Sequence, residues 1–169
     1  MRHATPSEVG HDGTDHTRPL NELGHREAFI QARFLREAGF IPELILASSA
    51  FRAKETGEII AEAMETTEAP NFGDLLEVNN SLYNAPGNLL LTTLQLIPNS
   101  VETLLLVAHM PGIAELLSHL TVENGEMTMA FQPATLVAVK MEDAPSWTEV
   151  GYGSGSLEWC LPPLLLHHT

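Results

Sequence analysis

Hydrophobic and polar positions follow two different periods along this chain. "ELILA" (43–47) and "VETLLLVA" (101–108) are short, largely apolar runs, the pattern of strands buried on both faces. "ATLVAVKM" (134–141) and "GSLEWCL" (155–161) predict strands near a sheet edge. Between these runs the period changes. In "PLNELGHREAFIQARFLREAGF", Leu23, Ile30, Phe34 and Ala38 share one helical face, Asn21 can cap the start and Gly39 supplies the stop. "SSAFRAKETGEIIAEAM" opens on serine caps and runs as a helix with Thr56, Ile59, Ile60 and Ala63 inward. "NAPGNLLLTTLQLIP" predicts a helix ending near Pro98, and "MPGIAELLSHL" another, with Pro111 in its first turn. Residues 5–18 are polar and turn-forming, the pattern of a loop. Strand and helix alternate over short links, with no repeat or low-complexity tract. The expectation is one domain, 1–169, an α/β sandwich with a largely parallel sheet.

Charge narrows the range of ligands. The net charge is −14 and the pI about 4.8, so the surface repels nucleic acid and anionic lipid. An anionic small substrate would be repelled at long range as well, so any phosphate chemistry needs local convergence of the eight lysines and arginines. The single cysteine, Cys160, excludes an intramolecular disulfide and suits a reducing compartment. No signal-peptide pattern opens the sequence and its apolar runs are too short to span a bilayer, so a cytoplasmic protein without membrane partners is expected.

Candidate chemistry lies where strands end. In open α/β sheets, ligands sit beyond the carboxyl ends of the strands. "ELILASSAFRA" leads from a strand to Arg52 at a helix start, where free N–H groups and the helix dipole favour anions. "LLLVAHMPG" places His109 in the same relation to the next strand. Arg2 and His3 open the chain. Singly, Arg52 reads as a surface partner of Glu55 or Glu58, His109 as a turn-closing residue, and Arg2-His3 as a loose end. Together, in this order, they suit one pocket.

With "MRHA", "SSAFRAKET" and "VAHMPG" in place, the chain resembles the histidine phosphatase superfamily, whose fold is phosphoglycerate mutase-like. "RPLNELG" (18–24), "SLYNAPGNLL" (81–90) and the lack of a large cap insertion resemble its SixA-type phosphohistidine phosphatase branch. The resemblance implies a three-layer α/β/α sandwich and a metal-independent, cofactor-free hydrolase. It makes His3 the nucleophile, Arg2 and Arg52 the holders of the equatorial phosphoryl oxygens, and protonated His109 a further donor. It places Arg18 near the pocket mouth, able to meet substrate, although a surface pair with Glu22 is an equal reading. The implied partner is a phosphorylated protein, such as a phosphotransfer domain, or a small phosphorylated substrate.

Relatives of the mutase type protonate their leaving group from a glutamate. The resemblance puts Asn84 of "SLYNA" at that place, and an amide cannot donate this proton; Asp74 and Glu77 lie nearby in sequence. Imidazole is a better leaving group than an alkoxide, since its conjugate acid has a pKa of about 6.5. A missing acid therefore favours phosphohistidine or another phosphoramidate over sugar phosphates. A phosphate-binding module without turnover and a small-metabolite phosphomonoesterase remain the alternatives. The histidines and aspartates of "HDGTDH" (11–16) could bind zinc in principle but read as solvated loop residues. His25 and His119 read as helix-surface residues, and His167 and His168 as tail. Cys160 reads as strand packing.

The resemblance also implies an apolar strand ahead of the Arg-His pair, of which only Met1 is present. The sequence reading expects a truncated central strand between "ELILA" and "TLLLVA", and a natural start a few residues upstream. Without that strand it expects a vacant slot in the sheet and a mobile Arg2-His3.

Overall fold

The computed structural model describes residues 1–64, 75–123 and 127–163. Three parallel strands form its centre: β1 (Leu44–Ser48), β2 (Leu76–Asn79) and β3 (Leu104–Val107), in the order β2-β1-β3. Ile45 lies opposite both Leu76 and Leu105. A second ladder pairs β4 (Leu136–Met141) with β5 (Gly155–Leu161) in antiparallel register, broken by a shift between Ala138 and Val139. The β2 strand has no counterpart among the sequence expectations. Its four residues include Glu77 and Asn79 and give no apolar run.

Residues 1–3 join the two ladders. His3 donates its backbone N–H to the Ala108 carbonyl at 3.1 Å, and Ala108 donates to the Met1 carbonyl at 3.1 Å. On the other side, Arg2 N–H reaches the Thr135 carbonyl at 3.2 Å and Ala134 N–H reaches the His3 carbonyl at 3.0 Å. This corrects two expectations. β1 and β3 pair directly, so the first segment lies outside β3, between it and the approach to β4. The Arg2-His3 pair is hydrogen-bonded on both sides, rather than mobile. Beside Met1, a groove of about 720 Å³ separates β3 from β4, with Leu104–Leu106 on one wall and Leu136–Met141 on the other.

Alternation along the strands divides the core. Ile45, Ala47 and Val107 face one cluster with α1 (Glu22–Glu37) and α2 (Phe51–Met64). Leu46, Leu106 and Ala108 face a second cluster with α3 (Gly87–Leu94) and α4 (Gly112–Thr121). Helices therefore cover both faces of the sheet, giving three layers. The buried face of α1 is not the expected stripe. Leu23 is exposed, and Gly24, Glu27, Ala28, Gln31, Ala32 and Leu35 point inward. The reason is polar. Glu27 accepts the Thr5 N–H at 2.8 Å, and the Gln31 amide donates to the Ala134 and Leu161 carbonyls at 2.9 and 3.0 Å. Asn21 caps α1 as expected, accepting from Gly24 N–H at 2.8 Å, and Gly39 closes it at φ +77°.

Two further segments differ in extent. The helix expected to run to Pro98 ends at Leu94, and the strand expected from Val101 begins at Leu104. Glu43 accepts the Glu102 and Thr103 N–H groups there, which holds this stretch outside the ladder. Among the described residues no helix is long and apolar enough to cross a membrane.

Gly24 sets how closely α1 approaches the segment after His3. A Cβ there would lie 2.1 Å from the Thr5 carbonyl oxygen. Gly24→Ala should cost about 1–3 kcal/mol of folding stability through overpacking. Urea denaturation measures this, and an unchanged midpoint would contradict the packing described.

Candidate active site

Three elements deliver side chains to one end of the sheet. Residues 1–3 bring Arg2 and His3, the first turn of α2 brings Arg52, and the end of β3 brings His109. Backbone pairing of the first and third, and the direct passage from β1 into α2, fix these origins. The His3 and His109 rings are 5.0 Å apart, and both residues are buried.

The protonation of His3 follows from its neighbours. Its Nδ1 lies 2.8 Å from the Ala4 carbonyl oxygen, which can only accept, so Nδ1 carries the hydrogen. Nε2 is left with a lone pair. Arg52 donates its Nε–H to that nitrogen at 3.2 Å. Burial lowers the His3 pKa to about 3, helped by His109, Arg52 and Arg2 and opposed by the Ala4 hydrogen bond. His3 is thus a neutral imidazole near neutral pH. His109 Nε2 lies 2.7 Å from Ser48 Oγ, and burial followed by the Arg52 charge lowers its pKa to about 4. In the free protein His109 is therefore neutral and donates from one nitrogen only.

Arg52 does not pair with Glu55 or Glu58. Glu55 accepts the Leu20 N–H and Glu58 pairs with Lys54. Instead the buried guanidinium donates from Nη1 to the Asp15 carbonyl at 2.7 Å and from Nη2 to the Asp15 carboxylate at 2.9 Å. Thr56 accepts the Ala4 N–H and donates to the Arg52 carbonyl, tying the residue after His3 to α2. Arg2 donates from Nη1 to the Phe131 carbonyl at 2.6 Å. Two buried nitrogens here have no partner, Arg2 Nε and His109 Nδ1. A buried donor left this way is costly, so an oxyanion beside Arg2 Nε is a natural complement.

Arg18 is bound to Asp15 Oδ1 at 2.9 Å and to the Ser7 carbonyl at 2.7 Å, whereas Glu22 pairs with Arg26. Sequence reasoning missed Asp15, His16, Tyr83 and Ser48. The first two lie in the loop read as solvated. His16 Nε2 is 3.0 Å from Ser49 Oγ, and its ring meets Tyr83 edge-on at 4.8 Å. Tyr83 also stands edge-on to His109 at 5.7 Å and donates its hydroxyl to Asp15 at 3.0 Å. The only sequence signal was spacing: Asp15 and His16 fall just before "RPL". The serines read as caps hold histidines instead.

Asn84 is exposed at φ +52°, and Glu77 is exposed on β2; Asp74 lies outside the described residues, as do His167 and His168. Cys160 is exposed on β5 rather than packed. His119 is half-buried against Tyr152, their centroids 4.5 Å apart, so it is not a simple surface residue. Among the described residues, no three His, Cys, Asp or Glu side chains converge to hold a metal ion.

Comparison with solved structures bears on this geometry. The protein histidine phosphatase SixA, in a complex with tungstate, superposes with a TM-score of 0.78 over 98% of this chain and 96% of that one, at 24% identity. The fold is that of the SixA histidine phosphatases. A SixA phosphohistidine phosphatase from Nakamurella multipartitia matches at TM-score 0.78 and 19% identity, over 95% of this chain and 92% of that one. One from Agrobacterium tumefaciens matches at TM-score 0.60 and 27% identity, over 70% and 72%. No family model matches the chain. A 56-residue stretch, 33% of the chain, is 41% identical to an uncharacterized chloroplast protein of Arabidopsis thaliana and spans 26% of that protein's length. The SixA-like sheet thus carries two imidazoles and two guanidiniums beyond its strand ends.

The lowered histidine pKa values make stability depend on pH. In the unfolded chain each imidazole takes a proton near pH 6.5. The folded protein resists protonation until about pH 3 for His3 and about pH 4 for His109. Stability attributable to these groups is intact above pH 6.5 and is lost progressively as pH falls from there towards 4 and 3. Urea midpoints should fall between pH 7 and pH 4.5. The His3→Gln/His109→Gln protein should show a shallower slope than the native chain; equal slopes would contradict the burial described.

Proposed function

We propose that this chain is a single histidine phosphatase-like domain that hydrolyses phosphoryl groups through a phosphohistidine formed on His3. The observation that carries this reading is the His3 imidazole: buried, neutral and held in the tautomer that leaves Nε2 unprotonated, beside two guanidiniums. Nε2 attacks phosphorus and the leaving group departs on the opposite side. Arg2 and Arg52 match the charge on the equatorial oxygens, and His109 donates one hydrogen bond. Entry of the phosphoryl group takes over the Arg52 N–H groups that His3 and Asp15 hold in the free protein. Water then cleaves the phosphoimidazole. Tungstate in the similar SixA protein is a tetrahedral oxyanion of the shape this reading requires.

The substrate reading is phosphohistidine, on a phosphotransfer protein or as a small phosphoramidate. Asn84 at the acid's expected place supports it, since imidazole needs less protonation than an alkoxide to leave. The alternative of a binding module rests on the Arg52 donors already being satisfied by Asp15 and His3.

A substrate panel separates these readings. Phosphohistidine and phosphoramidate should turn over faster than phosphoserine or phosphoglycerate, and strong phosphoglycerate turnover would contradict the assigned leaving group. His3→Ala should abolish turnover. Arg52→Ala should lower it by about 10² to 10³, as loss of one preorganised donor typically does. Arg33→Ala, whose side chain pairs with Glu37 on the α1 surface, should have little effect. Vanadate binding without turnover of any substrate would favour the module.

A further inference from the structure

We infer that Asp15 is a specificity-determining residue that selects substrates whose leaving group carries a positive charge; this rests on the phosphatase reading above. Asp15 is the one carboxylate bound directly to the Arg52 guanidinium among the described residues. Its oxygens accept from Arg18 Nη1 at 2.9 Å, Arg52 Nη2 at 2.9 Å and the Tyr83 hydroxyl at 3.0 Å. Arg52 itself is only 6% exposed in its side chain, whereas Asp15 is 47% exposed. The carboxylate therefore lies at the surface, bound directly to the buried guanidinium that donates to His3.

Asp15 is ionised at neutral pH. Burial opposes ionisation, but the hydrogen bonds from Arg18 and Tyr83 and the Arg52 charge outweigh it and hold the pKa at about 2. A fixed negative charge beside Arg52 and Arg18 offsets part of the attraction these guanidiniums have for a dianion. It costs less where the leaving group is cationic. The rings of His16 and Tyr83, edge-on to each other at 4.8 Å, stand beside this carboxylate and offer flat surfaces suited to a planar group.

An N-phosphorylated imidazole protonated on its other ring nitrogen meets these conditions. Its N–H can donate to Asp15. When His3 Nε2 bonds to phosphorus and the P–N bond breaks, the bonding pair goes to the departing ring nitrogen. The ring leaves as neutral imidazole, because the proton on the other nitrogen was already there. No protein acid is needed in that step, which fits an amide at position 84. Phosphoglycerate, with a carboxylate on its leaving group, meets repulsion from Asp15 instead.

Asp15→Asn tests this. The amide keeps an oxygen for Arg52 and Tyr83, removes the charge and gives up the acceptor that Arg18 uses; Arg18→Gln, measured alongside, gives the effect of losing the Arg18 contact. kcat/KM is measured for a phosphohistidine peptide and for 4-nitrophenyl phosphate, with vanadate inhibition alongside. The ratio of the two kcat/KM values should fall at least tenfold in favour of the aryl ester, with vanadate binding as tight as before or tighter. A parallel loss on both substrates with weaker vanadate binding would overturn the inference, leaving Asp15 as a mere support for Arg52. An unchanged ratio would overturn it too. A native protein active on neither substrate would defeat the phosphatase reading itself, and the inference with it.

Discussion

The hydrogen bond from Arg52 Nε to His3 Nε2 is the contact on which the arrangement of the site depends. It joins the first turn of α2 to the first residues of the chain and places a guanidinium beside an imidazole lone pair. The bond is possible only because His3 is neutral, and His3 is neutral because it is buried among cations. Each part supports the others. The Ala4 carbonyl fixes the tautomer, Asp15 fixes the guanidinium from the far side, and Thr56 ties the two backbones together. A protonated His3 would face a guanidinium without an acceptor between them, so acid pH works against this cluster.

The same contact bears on how the proposed anion site would work in an acidic protein. The net charge of −14 sets the field at long range. Within a few ångströms it is overridden by two arginines whose charges are buried or half-buried, where screening is weak. The carboxylate bound to Arg52, that of Asp15, is exposed, while buried Glu27 acts on Arg2. Function in this reading comes from the local order of charges rather than from their sum, and that order runs from a carboxylate in water through a guanidinium to a neutral nucleophile.

Much of this was legible in the sequence. Runs such as "LILA" and "LLLV" are buried strands whatever surrounds them, and residues immediately beyond them lie at one edge of a parallel sheet. Arg52 and His109 could be placed by that rule alone, and Arg2-His3 by its order relative to them. What escaped was tertiary in origin. Asp15 and His16 sit in a loop with no periodicity, and only the Arg52 guanidinium gives Asp15 its place. The buried face of α1 was misjudged because Glu27 and Gln31 point inward to satisfy backbone groups, which hydrophobic spacing cannot reveal. β2 was missed because "LEVN" is a short edge strand without an apolar run, its exposed residues being Glu77 and Val78. The neutral state of His109 in the free protein comes from burial, which its place after an apolar run does not by itself reveal.

The central claim is that His3 carries the phosphoryl group. Rapid quenching during turnover of a radiolabelled phosphoramidate, followed by peptide mapping, tests it directly. The account predicts a transient label approaching one phosphate per chain, stable in base and lost in acid, on the peptide containing His3. Turnover with no label at any time, or label on another residue, would contradict it.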